Sequence, residues 1–216
     1  MSYQDKILKS KLIIESVFEE FNTSNIAISF NGGKDNIVML DLIKKTINNK
    51  YDMPMLFNVS SDDEFDELKT FCCDIMKDNN YIIKQYYGDM KKAVYKLKSD
   101  YPSIKIIFMG IRKNDIIHKN DIINSNNLPV FQVTDNNWPK YVRVYPILDM
   151  EYTEIWKYIK DNKLKYCKLY DQGYTSLGNK SKTFKNDKLM YYENGITKYK
   201  PAYDLTDEIY ERTNRL

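Results

Sequence analysis

Between residues 26 and 111, short apolar runs alternate with stretches of helical periodicity, and this alternation constrains the fold more than any other feature of the chain. Ile26-Ala27-Ile28-Ser29-Phe30, Met55–Val59, Ile82–Tyr87 and Lys105–Ile111 read as buried strands. Residues 36–47, Glu64–Lys77 and Met90–Lys98 place apolar side chains at three- and four-residue intervals between them. Connections of roughly 10 to 15 residues suit parallel strands, which need a crossover long enough to pack back across the sheet. The expectation is α/β: an open, mostly parallel twisted sheet flanked by helices, Rossmann-like, over residues 25–162. An amphipathic helix with Ile7, Ile14, Phe18 and Phe21 on one side fills residues 1–24. Val142–Ile147 is a candidate fifth strand and Thr153–Asp161 a helix. Residues 163–216 read as an irregular, Tyr-rich extension of the same single domain, 1–216.

Composition narrows the function. With 43% hydrophobic residues the chain is too apolar to stay disordered, and it has no uninterrupted apolar run near the roughly 18 residues of a membrane span. Lys+Arg 33 against Asp+Glu 30 leaves +3, far from the concentrated positive charge that drives nucleic-acid binding. Lys91, Lys92, Lys96 and Lys98 read as a solvated helix face, and His118 as a surface residue. A small anionic ligand fits this balance, with neither nucleic acid nor membrane expected as a partner; protein partners are not legible. Cys72, Cys73 and Cys167 make no disulfide framework or Cys-x-x-Cys site, so a reducing, cytoplasmic setting is expected.

In an open parallel sheet, ligands gather outside the carboxyl ends of the strands. The segment there after the first strand is Ser29-Phe30-Asn31-Gly32-Gly33-Lys34-Asp35-Asn36. Its glycines permit positive φ and close backbone approach, and successive N–H groups at a helix start suit phosphate oxygens. Lys34 adds a point charge and Asp35 is a candidate metal ligand. Taken alone, the residues fit an ordinary Gly-Gly turn with a solvated Lys-Asp pair about as well. The string is neither a Walker A loop nor a Gly-x-Gly-x-x-Gly fingerprint.

It resembles instead the PP-loop, Ser-Gly-Gly-Lys-Asp-Ser, of enzymes that split ATP between its α and β phosphates. Further blocks follow in order: Phe108-Met109-Gly110-Ile111-Arg112-Lys113-Asn114-Asp115, Thr134-Asp135-Asn136-Asn137-Trp138-Pro139, and Tyr145-Pro146-Ile147-Leu148-Asp149. After them come Tyr166-Cys167-x-Leu169-Tyr170-Asp171-x-Gly173-Tyr174-Thr175-Ser176-Leu177-Gly178, Pro201-Ala202-Tyr203 and Glu211-Arg212-x-x-Arg215. Together they resemble the eukaryotic-type FAD synthases (FMN adenylyltransferases), a PAPS-reductase-like branch of the PP-loop enzymes, from about residue 26 onward. Asn36 stands where Ser or Cys is usual, Met150 replaces a usual Trp, and residues 116–133 match weakly.

The resemblance implies an adenine nucleotide alpha hydrolase-like fold and transfer of AMP from ATP to FMN, with Mg²⁺ bridging the triphosphate. It implies catalytic roles for Asn31, Asp35, Asp115, Arg212 and Arg215, with Asp35 as metal ligand. ATP and pyrophosphate fall to residues 29–36 with Gly110, Ile111 and Arg112. FMN falls to Asp115, Trp138, Tyr174, Thr175, Ser176, Leu177, Arg212 and Arg215. Some of these have bland readings too: Trp138 is suited equally to stacking on the isoalloxazine or to pinning its loop, while Tyr174–Gly178 could be a packing turn, though the resemblance favours ligand contact. Asp62–Glu67 reads as acidic residues favoured at a helix start rather than as metal ligands. Trp156 reads as core. A PAPS or APS reductase is the rival enzyme, but it needs a nucleophilic Cys in the tail and none follows Cys167. A flavin- or adenine-nucleotide-binding module without turnover is the non-enzymatic alternative.

Overall fold

The structure, a computed structural model, describes residues 1–117 and 128–215; His118 and most of the weakly matching region before Val130 lie outside the described residues. Six strands form one sheet in the order β3-β2-β1-β4-β6-β5, from Ile26–Ser29 (β1), Met55–Ser60 (β2), Ile83–Tyr87 (β3), Ile106–Phe108 (β4), Phe131–Val133 (β5) and Val142–Val144 (β6). All neighbours pair in parallel except β5 and β6. The expected open, mostly parallel sheet is therefore present, with one antiparallel edge.

Both faces of the central strands are covered, which is why they read as continuous apolar runs rather than alternating ones. Successive side chains still divide by face. Ile26, Ile28, Leu56, Ile106 and Phe108 join the main core, while Ala27, Phe57 and Ile107 join a second cluster on the opposite face. Helices Tyr3–Glu20 (α1), Lys34–Ile47 (α2), Asp66–Asn79 (α3) and Tyr152–Asp161 (α6) contribute to the main core; Met90–Asp100 (α4) covers the second through Ala93, Val94 and Leu97. A short helix, Lys113–Ile117 (α5), follows β4.

Helix α1 starts at a capping box in which Ser2 and Asp5 bond reciprocally. Its inward face carries Lys6 and Ser10 ahead of Ile14, Val17 and Phe18, and the buried Lys6 ammonium pairs with Glu151 and Glu154 at the start of α6. Ile7 and Phe21 lie only half-buried at its margins. Trp156 is core, ringed edge-on by Tyr152, Tyr166, Tyr170 and Tyr203.

Three expectations are corrected. The fourth strand ends at Phe108, not Ile111: Gly110 leaves the sheet to pass against the first turn of α2, where a Cβ would come within 3.0 Å of the Asn36 nitrogen. The candidate fifth strand covers only Val142–Val144, and before it in sequence comes β5, too short to show a period. The extension is not wholly irregular, since Met190–Glu193 (β7) and Ile196–Tyr199 (β8) form a hairpin turned by Asn194 and Gly195, both at positive φ. Asp62–Glu67 divides: Asp66 and Glu67 sit in the first turn of α3, while Asp63 accepts from the Ser181 backbone (3.0 Å) and hydroxyl (2.5 Å) and so ties the extension to the end of β2.

Candidate active site

Strand β1 lies between β2 and β4, so the chain order reverses across β1 and β4, and their carboxyl ends open the crevice where such sheets take ligands. The two loops there are residues 30–33, leading into α2, and residues 109–112. Phe30 still belongs to the ladder, its N–H donating to the Phe57 carbonyl. Gly32 then takes φ +75, with the space where a Cβ would stand filled by Cys72 Sγ and Leu68. Only glycine meets both conditions.

The exposed Asn31 side chain organises the turn: its Oδ1 accepts from the Gly33 backbone N–H and from Asn36 Nδ2, both at 2.9 Å. Tyr170, from the extension, accepts from the Lys34 N–H at 3.1 Å; burial pushes its phenol up to about 12. Of the first amides of α2, those of Asp35 and Asn36 have no acceptor among the described residues. Helix N-termini leave such donors free, and they suit an anion.

Beneath the turn lies a cluster of ion pairs. Lys34 is 2% exposed, and its Nζ meets Glu211 Oε1 at 2.5 Å and Asp35 Oδ2 at 3.1 Å. Arg112, fully buried, places Nη2 2.6 Å from Glu211 Oε2 and 3.3 Å from Asp115 Oδ1, and its backbone N–H donates to Asp115 Oδ2. Arg112 Nε stands 2.7 Å from Asp35 Oδ1, a charge contact at an angle that leaves both atoms without a hydrogen bond. Arg212 Nη2 reaches Asp115 Oδ1 at 2.9 Å, and Arg215 Nη1 donates to the Ser176 hydroxyl at 3.0 Å.

These neighbours set the ionisation. Burial alone would lower the Lys34 ammonium, but the charges of Asp35 and Glu211 outweigh it and hold it well above its ordinary value. Burial likewise works against the Asp35 carboxylate, and Arg112 with Lys34 keeps it below the usual range. Arg215 is lowered, chiefly by burial and then by repulsion from Arg212.

Asp35 suits a divalent cation in one respect: its Oδ1, buried 2.7 Å from Arg112 Nε, takes no hydrogen bond and so retains an unused lone pair. Among the described residues no group of three or more His, Cys, Asp or Glu gathers as a metal cage. That pattern fits Mg²⁺ arriving with phosphates and taking one carboxylate, its usual mode at such sites.

Residues 25–103 and 77–185 match the phosphoadenosine phosphosulfate reductase domain family. A probable FAD synthase of Schizosaccharomyces pombe is 37% identical, aligned over 98% of this chain and 79% of its own length. The chain belongs to this family, among the FAD synthases. A probable FAD synthase of Caenorhabditis elegans is 36% identical over the whole chain, which spans only 41% of that protein's length. Among solved structures, Candida glabrata FMN adenylyltransferase in complex with FAD and inorganic pyrophosphate superposes with a TM-score of 0.86 at 25% identity, covering 99% of this chain and 89% of that one.

Within the family's fold, the structure gathers Asn31, Gly32, Gly33, Lys34, Asp35, Asn36, Gly110, Arg112, Asp115 and Arg212 around one crevice, with Arg215 and Ser176 beside it. Ser29 closes β1 and Ile111 turns the 109–112 loop, its N–H bonding the Met109 carbonyl. Thr175 is buried and donates to the Glu211 carbonyl, so it holds the tail rather than facing the crevice. Tyr174 and Leu177 pack against the main core, Tyr174 edge-on to Phe65.

Trp138 is not brought to the cluster. It lies in the turn joining β5 to β6, at the amino end of the parallel strands, half-buried against the second core. The flavin would have to run along β6, roughly 10 Å at about 3.3 Å per residue, for its ring to meet the indole. Glu211, Glu208 and Tyr170 carry no role in the sequence reading. The one available signal was Glu211 adjoining the paired arginines of the closing block.

Proposed function

We propose that this chain is an FMN adenylyltransferase, transferring AMP from ATP to FMN to give FAD and pyrophosphate. The observation that supports it is the meeting, at one crevice, of the glycine turn with its two unclaimed amides, Asp35, and the arginines of two separate sequence blocks, in a chain aligned throughout with FAD synthases.

An FMN phosphate oxygen forms a bond to the α-phosphorus of ATP as the bond to the bridging oxygen breaks, and the electron pair leaves with pyrophosphate. The second ionisation of a phosphate monoester falls near pH 6, so the nucleophile arrives deprotonated and no general base is required. The chain's work is positioning and charge compensation. In this reading the Asp35 and Asn36 amides hold the departing diphosphate, shaped by Asn31, Gly32 and Gly33. Arg212 and Arg215, next to Asp115 and Ser176, offset repulsion between the two substrates. Arg212 Nε, buried and without a hydrogen-bond partner, has capacity for a phosphate oxygen. Asp35 would hold Mg²⁺, which would supply further charge compensation to the leaving phosphates. Ser29, Phe30, Gly110, Ile111, Lys34 and Arg112 form the framework of the ATP side, and Ser176, Tyr174, Thr175, Leu177 and Trp138 that of the flavin side, within one domain spanning 1–216.

The reductase alternative finds no nucleophile here. Cys72 is the thiol beneath the turn, and burial pushes it up to about 12, away from the thiolate that such chemistry uses. Three free cysteines accord with a reducing, cytoplasmic setting, and no helix among the described residues is long and apolar enough to cross a membrane. Incubation of the purified chain with FMN, ATP and MgCl₂, followed by chromatography for FAD and assay of pyrophosphate, tests the proposal. FMN binding without FAD formation would favour a binding module instead.

A further inference from the structure

Two of the three arginines at the crevice are held by carboxylates: Arg112 by Asp35, Asp115 and Glu211, and Arg212 by Asp115. Arg215 makes no ion pair among the described residues and is held by neutral groups instead. Its Nη1 donates to the buried Ser176 hydroxyl at 3.0 Å, and the other side of the guanidinium lies against the backbone of Gly178. A Cβ at residue 178 would stand 2.2 Å from Arg215 Nη2, 2.6 Å from Cζ and 2.7 Å from Nε. The guanidinium therefore fills the space that any side chain there would take.

Both sides of this contact are tied down. Thr183 pairs with Arg215 in an antiparallel bridge and the Phe184 N–H donates to the Asn214 carbonyl, which fixes the backbone that carries the arginine. After Gly178, the Thr183 hydroxyl donates to the Asn179 carbonyl at 2.7 Å and the Lys180 N–H to the Asp63 carbonyl at 2.8 Å. Gly178 itself has φ outside the left-handed region, so its backbone would accept another residue and the demand is for space alone. A carboxylate orients an arginine but also cancels its charge. A hydroxyl and a bare Cα orient it and leave the charge in place; burial and repulsion from Arg212 then lower the Arg215 pKa, as for a cation without a close counter-ion.

We propose that Gly178 is a positioning residue: by lacking a side chain it seats the Arg215 guanidinium beside Ser176, so that the arginine meets the substrate phosphates in a fixed place with its charge uncompensated. This rests on the reading of Arg215 as a group that offsets repulsion between FMN and ATP. A methyl at residue 178 would need about 3.5–4.0 Å of clearance, so the guanidinium would have to move by roughly 1 Å or more. A misplacement of that size can cost about a hundredfold in rate. The atoms in the way are the far end of a flexible side chain, so the arginine yields and the fold does not.

The experiment compares the full chain with Gly178→Ala, Arg215→Ala and the double variant in steady-state formation of FAD from FMN, ATP and MgCl₂. Gly178→Ala should lower kcat/KM by about ten- to a hundredfold with Tm unchanged or slightly raised, because the backbone there accepts alanine. Arg215→Ala should lower it by about a hundredfold, and adding Gly178→Ala to that chain should change it by no more than about threefold. A merely structural glycine would cost the same factor in both backgrounds, and that result would overturn the proposal. So would Gly178→Ala turnover within about threefold of wild type, or a fall in Tm beyond about 4 °C, which would mean that the loop and not the arginine had given way. A second readout does not depend on turnover. The Arg215 Nε–H resonance, identified by its loss in Arg215→Lys, should shift in Gly178→Ala, and an unmoved resonance would overturn the proposal. FAD formation with an indifferent Gly178→Ala defeats this inference alone; a wild-type chain that makes no FAD defeats the adenylylation reading, and the resonance still decides whether Gly178 seats Arg215.

Discussion

Replacing Gly32 by alanine separates two costs that meet at one atom. The backbone there has φ +75, a conformation costing an L-residue with a Cβ roughly 1–2 kcal/mol. The new methyl would stand 2.6 Å from Cys72 Sγ and 3.1 Å from Leu68 Cδ1, and forcing it into this packed space adds about 1–3 kcal/mol. The sum is about 2–5 kcal/mol, or for a chain of this size a fall in Tm of very roughly 4–20 °C. Urea and thermal unfolding of Gly32→Ala, Cys72→Ala and the double variant form the assay. The packing part should disappear when Cys72 is trimmed and the backbone part should not, giving a favourable coupling of about 1–2 kcal/mol between the two substitutions. Pyrophosphate binding should weaken in both Gly32 variants, because the turn is reshaped in each. A Gly32→Ala chain within about 0.5 kcal/mol of wild type would refute both the positive φ and the contact with α3, and a double variant showing no coupling would refute the contact alone.

Asp35→Asn and Arg212→Ala should each lower FAD formation by about 10²-fold or more, roughly 3 kcal/mol, in steady-state assays. Burial opposes the Asp35 charge but Arg112 and Lys34 hold the folded carboxyl below its unfolded value; the stability it supplies is therefore complete above about pH 4 and lost as pH falls through the folded value, an acid arm that Asp35→Asn should flatten in urea titrations. With a thiol reagent at pH 8 the exposed Cys73 should react at once, while the buried Cys72 and Cys167, both raised by burial, wait for unfolding; three equally fast thiols would contradict their placement. Trp138→Ala should raise KM for FMN roughly tenfold and leave that for ATP unchanged if the flavin lies along β6, and an unchanged KM for FMN would put the ring elsewhere.

The parallel sheet was legible because its central strands are buried on both faces, so Ile26-Ala27-Ile28 and Ile106-Ile107-Phe108 stand out as unbroken apolar runs between helical stretches. The edge was not: Phe131 and Val133 are largely exposed and the strand is three residues long, leaving no period to read. Asn194-Gly195 carries a hairpin signal that the Tyr-rich composition around it obscured, although both residues sit at the positive φ such turns need. At the site, the turn could be found because the backbone demands glycine there and a helix follows. Lys34 reads locally as a charge offered to phosphate, and no local pattern shows that its ammonium turns inward to Glu211. A pairing between residues so far apart leaves no periodicity in either segment.

That same ion pair joins residues 177 positions apart in the chain. During synthesis at about 5–20 residues per second, some 10 to 35 s separate the emergence of Lys34 from that of its counter-ion. The sheet's first three parallel strands and their crossovers can be made in that interval, but they would enclose an ammonium group with only Asp35 to oppose it. Docking of the tail is thus the event that seals the glycine-turn end of the nascent domain, and a chain cut between Tyr199 and Glu211 should keep its strands and helices while leaving that end loose and open to protease.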